Sequence, residues 1–184
     1  GKYLNFLDDD DAFLPDHVWI LVRAIRGRHQ KAVYSVAQER QIRMQSNIGK
    51  PIKVKKKYIR FRQEFNRLLL YTENYIPIQS MMFERSLFEK AGGFDVTLEA
   101  LEDWDLWVRY STETDFIFVD KVTSYYHVPW GRKIKKERAL EMKNYLCMVH
   151  KKFQNYHIDV SVDQVNKEML YVLRKYKERK IVQY

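Results

Sequence analysis

Four aspartates in a row, Asp8 to Asp11, stand directly behind the alternating apolar run Tyr3-Leu4-Asn5-Phe6-Leu7. The run reads as a half-buried strand. Four adjacent carboxylates repel one another, which restricts them to a place open to water or to a divalent cation, and Mg²⁺ or Mn²⁺ takes oxygen ligands. Ala12-Phe13-Leu14-Pro15 follows, so the segment predicts a strand, a ligand loop and a helix start. The plainer alternative is a solvated acidic turn.

The chain has 184 residues, 46% hydrophobic and 15% aromatic, enough for one substantial core and too few for two ordinary domains. No stretch approaches the roughly 20 apolar residues of a membrane span, and the first residues lack a signal-peptide pattern, so an intracellular protein is expected. A single cysteine, Cys147, excludes an internal disulfide framework and a cysteine-rich zinc site, and its helical setting predicts core packing.

The net charge is +9, but its distribution matters more than its sum. Lys50, Lys53, Lys55, Lys56, Lys57, Arg60, Arg62 and Arg67 face one acid, Glu64, within one stretch. Ten of the 24 acids fall in two segments: Asp8 to Asp11 with Asp16, then Asp95, Glu99, Glu102, Asp103 and Asp105. Acids concentrated twice in a basic chain suggest a site that handles a metal and a proton, and the surrounding bases suit a phosphate-bearing or anionic-lipid-linked substrate.

Helices are expected from Pro15 to Arg26, Phe65 to Tyr71, Ser86 to Ala91 with Gly92-Gly93 as its stop, and from near Glu102. Strands are expected at Ala32–Val36, Ile76–Phe83, Phe116–Val119 and Val122–His127, with Pro129-Trp130-Gly131 as a turn. Residues up to about Arg60 after the second strand read as irregular and basic, with a turn at Gly49-Lys50-Pro51. The remainder is helical. Met142, Tyr145, Leu146, Val149 and Phe153 share one helix face, and so do Val165, Met169, Val172, Leu173 and Tyr176, behind a capping box of Ser161 and Gln164. Such stripes serve a core or a partner interface more often than a cofactor.

Three segments together resemble the family 2 glycosyltransferases of the GT-A fold, which move a sugar from a nucleotide-sugar donor to an acceptor hydroxyl. GKYLNFLDDDD (Gly1 to Asp11) followed by Pro15 looks like that family's strand and DXD motif. IQSMMFERSLFEKAGGFD (Ile78 to Asp95) is similar to its acceptor-side strand, helix and Gly-Gly-Phe-Asp turn. LEDWDLWVR (Leu101 to Arg109) looks like the helix whose Glu-Asp pair holds the catalytic base.

The resemblance implies an α/β chain of GT-A fold that carries the acceptor and metal half of the domain over residues 1–135 and a helical extension over 136–184. It implies Asp8 and Asp10 as the outer acids of the DXD, with Asp10 on the metal and Asp8 on ribose or a metal-bound water. Asp9 touches the ribose or holds the loop, and Asp11 replaces Asp10 if the register shifts by one. Asp103 becomes the general base with Glu102 as its orienter. His127, Arg132 and Lys133 fall where the family has a loop that closes over the diphosphate, and Trp104 either stacks on an acceptor sugar or packs in the core. The implied reaction is inverting transfer from a UDP- or GDP-sugar with Mn²⁺ or Mg²⁺, to a saccharide or lipid-linked acceptor of bacterial polysaccharide synthesis. The implied setting is cytoplasmic, at the inner face of the membrane.

The family's nucleotide-binding half, with its Pro-Thr-Tyr-like loop, has no counterpart here, so the expected fold is incomplete, a fragment or a natural half-domain. A homodimer or a peripheral membrane contact is compatible with the C-terminal stripes and with Lys135, Lys136, Lys151 and Lys152. Rival classes are a glycoside hydrolase, which also uses paired carboxylates but usually needs no metal, and a non-catalytic module that binds nucleic acid or a membrane surface through the Lys50 to Arg67 cluster. The transferase reading expects no nucleic-acid partner.

Overall fold

The acidic run leaves the end of the first strand, as its residues require. The computed structural model describes residues 1–43 and 53–181, and for residues 132–135, 141 and 176–181 the backbone alone. Its elements are β1 (Tyr3–Asn5), β2 (Ala12–Phe13), α1 (His17–Ile25), β3 (Ala32–Ile42), β4 (Val54–Tyr58), α2 (Arg67–Leu70), a 3₁₀ turn (Ile78–Ser80), β5 (Met81–Glu84), α3 (Arg85–Ala91), α4 (Glu102–Ser111), β6 (Phe116–Pro129), α5 (Arg132–Phe153) and α6 (Val162–Ile181). The predicted turn at Gly49-Lys50-Pro51 lies outside the described residues.

The strands form one mixed sheet in the order β1-β5-β3-β6-β2, with β4 also on β3. β3 and β6 run parallel, and the other pairs are antiparallel. β3 is central because both its edges are used: β6 follows it from Ala32 to Ile42, while β5 takes Ala32–Tyr34 and β4 takes Glu39–Ile42. Alternating residues of β3 therefore serve two cores. Val33 joins Leu21 and Ile25 of α1 and Met82 on one face, whereas Ala32 and Tyr34 join the larger cluster under α2, α4, α5 and α6 on the other. That cluster holds Trp104, Trp107, Tyr110, Phe83, Leu69, Leu70 and Ile76, and also Val149, Phe153 and Val172 from the C-terminal helices. Each such side chain withdrawn from water contributes about 1.5–3 kcal/mol.

Local chemistry sets the element ends. Gly92 closes α3 at φ 80, and its N–H donates to Phe88 O at 2.9 Å. A Cβ on Gly93 would come within 2.8 Å of the Phe88 ring, so both glycines of the Gly-Gly turn are required, for different reasons. Asn66 caps α2 by accepting from Leu69 N at 2.7 Å. Across from it, Glu168 of α6 accepts from Leu68 N through its carboxylate at 2.8 Å and from Asn66 Nδ2 through its carbonyl at 3.3 Å.

Several elements differ from the sequence expectation. β3 runs six residues past Val36, and β6 is continuous where two strands were expected, with register irregularities between Ser35 and Ala37 absorbing the interruption. The expected strand from Ile76 is a loop and a 3₁₀ turn before β5, because Ser80 N and Oγ both donate to Pro77 O. α1 starts at His17, not Pro15. Cys147 is exposed, not core: α5 buries Val149 and Phe153, and Cys147 lies on another side of the helix. Half of the expected capping box forms, with Gln164 N donating to Ser161 Oγ at 3.1 Å while the Gln164 side chain turns to Glu168. Among the described residues no helix is long and apolar enough to cross a membrane.

Candidate active site

The loop between β1 and β2 and the start of α4 open on the same cleft, about 890 Å³ in volume. Asp8, Asp10 and Asp11 line it from one side, Glu102 and Asp103 from the other, with His127, Asn74 and Gln79 between. Asp9 is not among the lining residues. Two acid segments separated by about ninety positions in sequence thus face one space.

α4 presents Asp103 through an unusual start. Leu101, the residue before the helix, has φ 63, a left-handed conformation that non-glycine residues seldom hold. Asp103 Oδ1 accepts from Trp104 N at 2.7 Å, and Oδ2 accepts from Asn74 Nδ2 at 3.1 Å. Asn74 is itself held in place from behind: Trp104 Nε1 donates to Leu70 O at 2.6 Å, Trp107 Nε1 donates to Ile76 O at 3.0 Å, and the Tyr75 hydroxyl bridges the Asn66 backbone. Trp104 is therefore core, only 2% exposed, and does not reach an acceptor.

Burial is the main reason that the Asp103 carboxyl is pushed up to about 7, and the adjacent Glu102 charge adds to it. The two hydrogen bonds from Asn74 and Trp104 oppose the rise without cancelling it, and the charge of Asp8 is felt across the cleft. A carboxyl poised near neutrality is suited to accept a proton from a hydroxyl.

The aspartate loop is a turn, with Asp11 N donating to Asp8 O at 3.2 Å. His127 of β6 holds it from the far side, its N–H donating to Asp11 Oδ1 at 3.0 Å and its Nδ1 meeting Asp10 O. Burial raises the Asp11 carboxyl to about 6 and raises Asp8 as well, and in both cases neighbouring aspartates add to the effect. Crowded, partly desolvated carboxylates gain from a cation, and the donor set is hard oxygen throughout, which fits Mg²⁺ or Mn²⁺. Among the described residues no group of three His, Cys, Asp or Glu side chains forms a preassembled cage. Arg132 and Lys133 begin α5, just after the β6 strand that carries His127, and their side chains lie outside the described part.

Asn74, Gln79 and Glu39 escaped the sequence reading, and Arg60 entered it only as one base of the Lys50 to Arg67 cluster. Glu39 is buried on the cleft wall, bonded by Gln41 Nε2 at 2.8 Å, Tyr126 Oη at 3.3 Å and Arg60 at 3.4 Å. Gln79 is 1% exposed and its Nε2 has no partner among the described residues. A lone Asn or Gln carries no motif, and Glu39 falls in the stretch after Val36 that reads as irregular.

No protein-family model matches the sequence, and no curated protein matches it. Solved structures share the fold. S. aureus TarS aligns at a TM-score of 0.56 and 14% identity over 94% of this chain and 28% of that one. TarS 1–349 in complex with UDP-GlcNAc aligns at 0.55 and 13% identity over 86% of this chain and 44% of that one, and in complex with UDP at 0.52 and 15% over 86% and 43%. The chain spans less than half the length of these structures.

Proposed function

We propose that the chain is the metal and acceptor half, residues 1–135 with the helices of 136–184, of a GT-A glycosyltransferase that transfers a hexosyl group with inversion from a nucleotide-diphosphate sugar to a saccharide or lipid-linked hydroxyl. The observation that carries this reading is the joint exposure in one cleft of a carboxylate cluster suited to a cation and a separate carboxyl poised near pH 7. The shared fold with a protein solved with UDP-GlcNAc supports it and favours a uridine donor.

In this mechanism Asp10, with Asp8 or Asp11 beside it, would hold Mn²⁺ or Mg²⁺, and the metal would neutralise charge developing on the leaving diphosphate. His127 keeps the aspartate loop in its turn, and with Arg132 and Lys133 it flanks the diphosphate. Asp9 stays on the solvent side and stabilises the loop or meets the ribose. Asn74 and the Trp104 N–H fix the two oxygens of Asp103, which takes the acceptor's proton as the oxygen attacks the anomeric carbon. Attack from the side opposite the diphosphate inverts the configuration. Glu102 raises the proton affinity of Asp103.

Titration of UDP-GlcNAc and of a GDP-sugar, with and without Mn²⁺, tests the reading. Wild type is expected to bind UDP-GlcNAc in a Mn²⁺-dependent way, and Asp10→Asn to weaken that binding by about tenfold or more through loss of one charged ligand. Metal-independent binding, or an unchanged affinity in Asp10→Asn, would remove the metal role from this loop.

The pH profile follows from Asp103. Its folded pKa lies above the ordinary carboxyl value of 3.8, at about 7, so the protein holds this proton through a window where an unfolded chain has released it. The base is disabled below that value, and kcat/KM is expected to rise with pH through about 7 and then level. By the same linkage, this group's contribution to stability declines as pH rises from about 4 to about 7. A rate flat between pH 6 and 8 would deny Asp103 the role of base.

A further inference from the structure

A second cavity, about 610 Å³, continues from the cleft beyond Asn74, and Arg60, Phe61 and Asn74 line both. Neither Asp103 nor any of Asp8 to Asp11 lines it, and Asn74, which bonds Asp103, stands at the junction of the two cavities. Its outer wall comes from α6, through Tyr171 and Lys175, and its mouth carries Arg60 and Arg62.

The cations here are only partly neutralised. Arg60 meets Glu39 at 3.4 Å, Arg62 meets Asp120 at 2.7 Å and Lys175 meets Glu73 at 2.5 Å. The two arginines remain 63% and 56% exposed, each with one carboxylate for a guanidinium of five N–H donors. Among the described residues Glu73 is the sole acid on the lining, against three bases. Phe61 and Tyr171 are also on the wall, with Arg60 over the Phe61 ring and the Tyr171 hydroxyl held by Gln63 Oε1. Spaced arginines with free fork donors match a phosphate or a carboxylate, and aromatic side chains suit a sugar ring.

We propose that this cavity is a subsite for an acceptor chain that carries an anionic group, a phosphate or a carboxylate, one or two units from the reacting hydroxyl. The C-terminal helix α6 then builds the far wall of the acceptor path. The word acceptor rests on the transferase reading, but the anion binding does not.

Calorimetric titration of the 184-residue protein with maltotetraose, maltotetraose 6-phosphate and a glucuronate-containing tetrasaccharide tests it. At least one anionic ligand is expected to bind about tenfold tighter than the neutral one, and the phosphate and uronate arms tell which anion is preferred. Arg62→Gln together with Lys175→Gln is expected to abolish that advantage while Mn²⁺-dependent UDP binding stays unchanged. Arg62→Gln alone, at an exposed ion pair whose loss leaves folding intact, is expected to lose about tenfold. Equal binding of neutral and anionic tetrasaccharides by wild type, or wild-type anion binding in both variants, would overturn the proposal. Absence of UDP binding alongside intact, charge-sensitive tetrasaccharide binding would sink the transferase reading and leave the anion site standing.

Discussion

Asp103→Asn is expected to lower kcat by about 100- to 10,000-fold, the usual contribution of a positioned general base, while leaving Mn²⁺-dependent UDP-GlcNAc binding within about twofold of wild type. Asparagine keeps the shape and its Oδ1 still accepts from Trp104 N, so the α4 start persists, while its amide nitrogen stands where an oxygen accepted from Asn74, so proton acceptance is lost together with that one hydrogen bond. Single-turnover transfer measured beside donor affinity separates the two effects. Loss of donor binding in step with turnover would mean that Asp103 holds the donor instead. Removal of the unfavourable burial of a charge also predicts a small gain in thermal stability above pH 7 for this variant.

Asp105→Ala is expected to produce the largest structural loss. Asp105 is fully buried and accepts from Arg109 Nε at 3.0 Å, Lys152 Nζ at 2.8 Å and Tyr156 Oη at 3.2 Å. Lys152 reaches on to Asp95 at 2.6 Å, and Arg109 donates to the carbonyls of Ala91, Gly92 and Gly93. One carboxylate therefore joins α4, α5 and the Gly-Gly-Phe-Asp turn. Deleting it takes the shared buried carboxylate from two cations, which keep only Asp95 and the turn carbonyls, a loss of about 3–5 kcal/mol for a broken buried pair, or roughly 6 to 20 °C in Tm for a protein of this size. Asp105→Asn, which retains an acceptor, should lose less. A Tm within about 2 °C of wild type in Asp105→Ala, below the shift expected for even 1 kcal/mol, would show that Lys152 and Arg109 find other partners and that the network is not a structural centre.

The aspartate run, the Gly-Gly stop and the acidic start of α4 were legible because each is a local necessity: charge repulsion, a positive φ with a close ring contact, and a polar helix entry. Other features depend on what lies across the fold. The second half of β3 reads as polar coil since Glu39 and Gln41 are charged or polar, yet β4 and β6 bury them and Arg60 supplies the partner. Asn74 is an ordinary loop residue until Trp104 and Trp107 clamp its flanks beneath Asp103. The burial that dominates the Asp103 carboxyl is set by the surrounding fold and is not visible in composition. In α5 the stripe mixes residues that point inward, Val149 and Phe153, with Leu146, which stays 40% exposed, so spacing alone misplaced Cys147 too.

Glu168 fastens the N-terminus of α2 with both its carboxylate and its carbonyl, and α2 leads into the Asn74 segment that steadies the base. Inheritance of two segments about a hundred positions apart is thereby coupled. A lineage that rewrites the last helix must also rewrite the Asn66–Leu68 cap or lose the alignment of a carboxylate far from the altered residues, so drift in the two segments is expected to be concerted, with the helix evolving as part of the site's foundation.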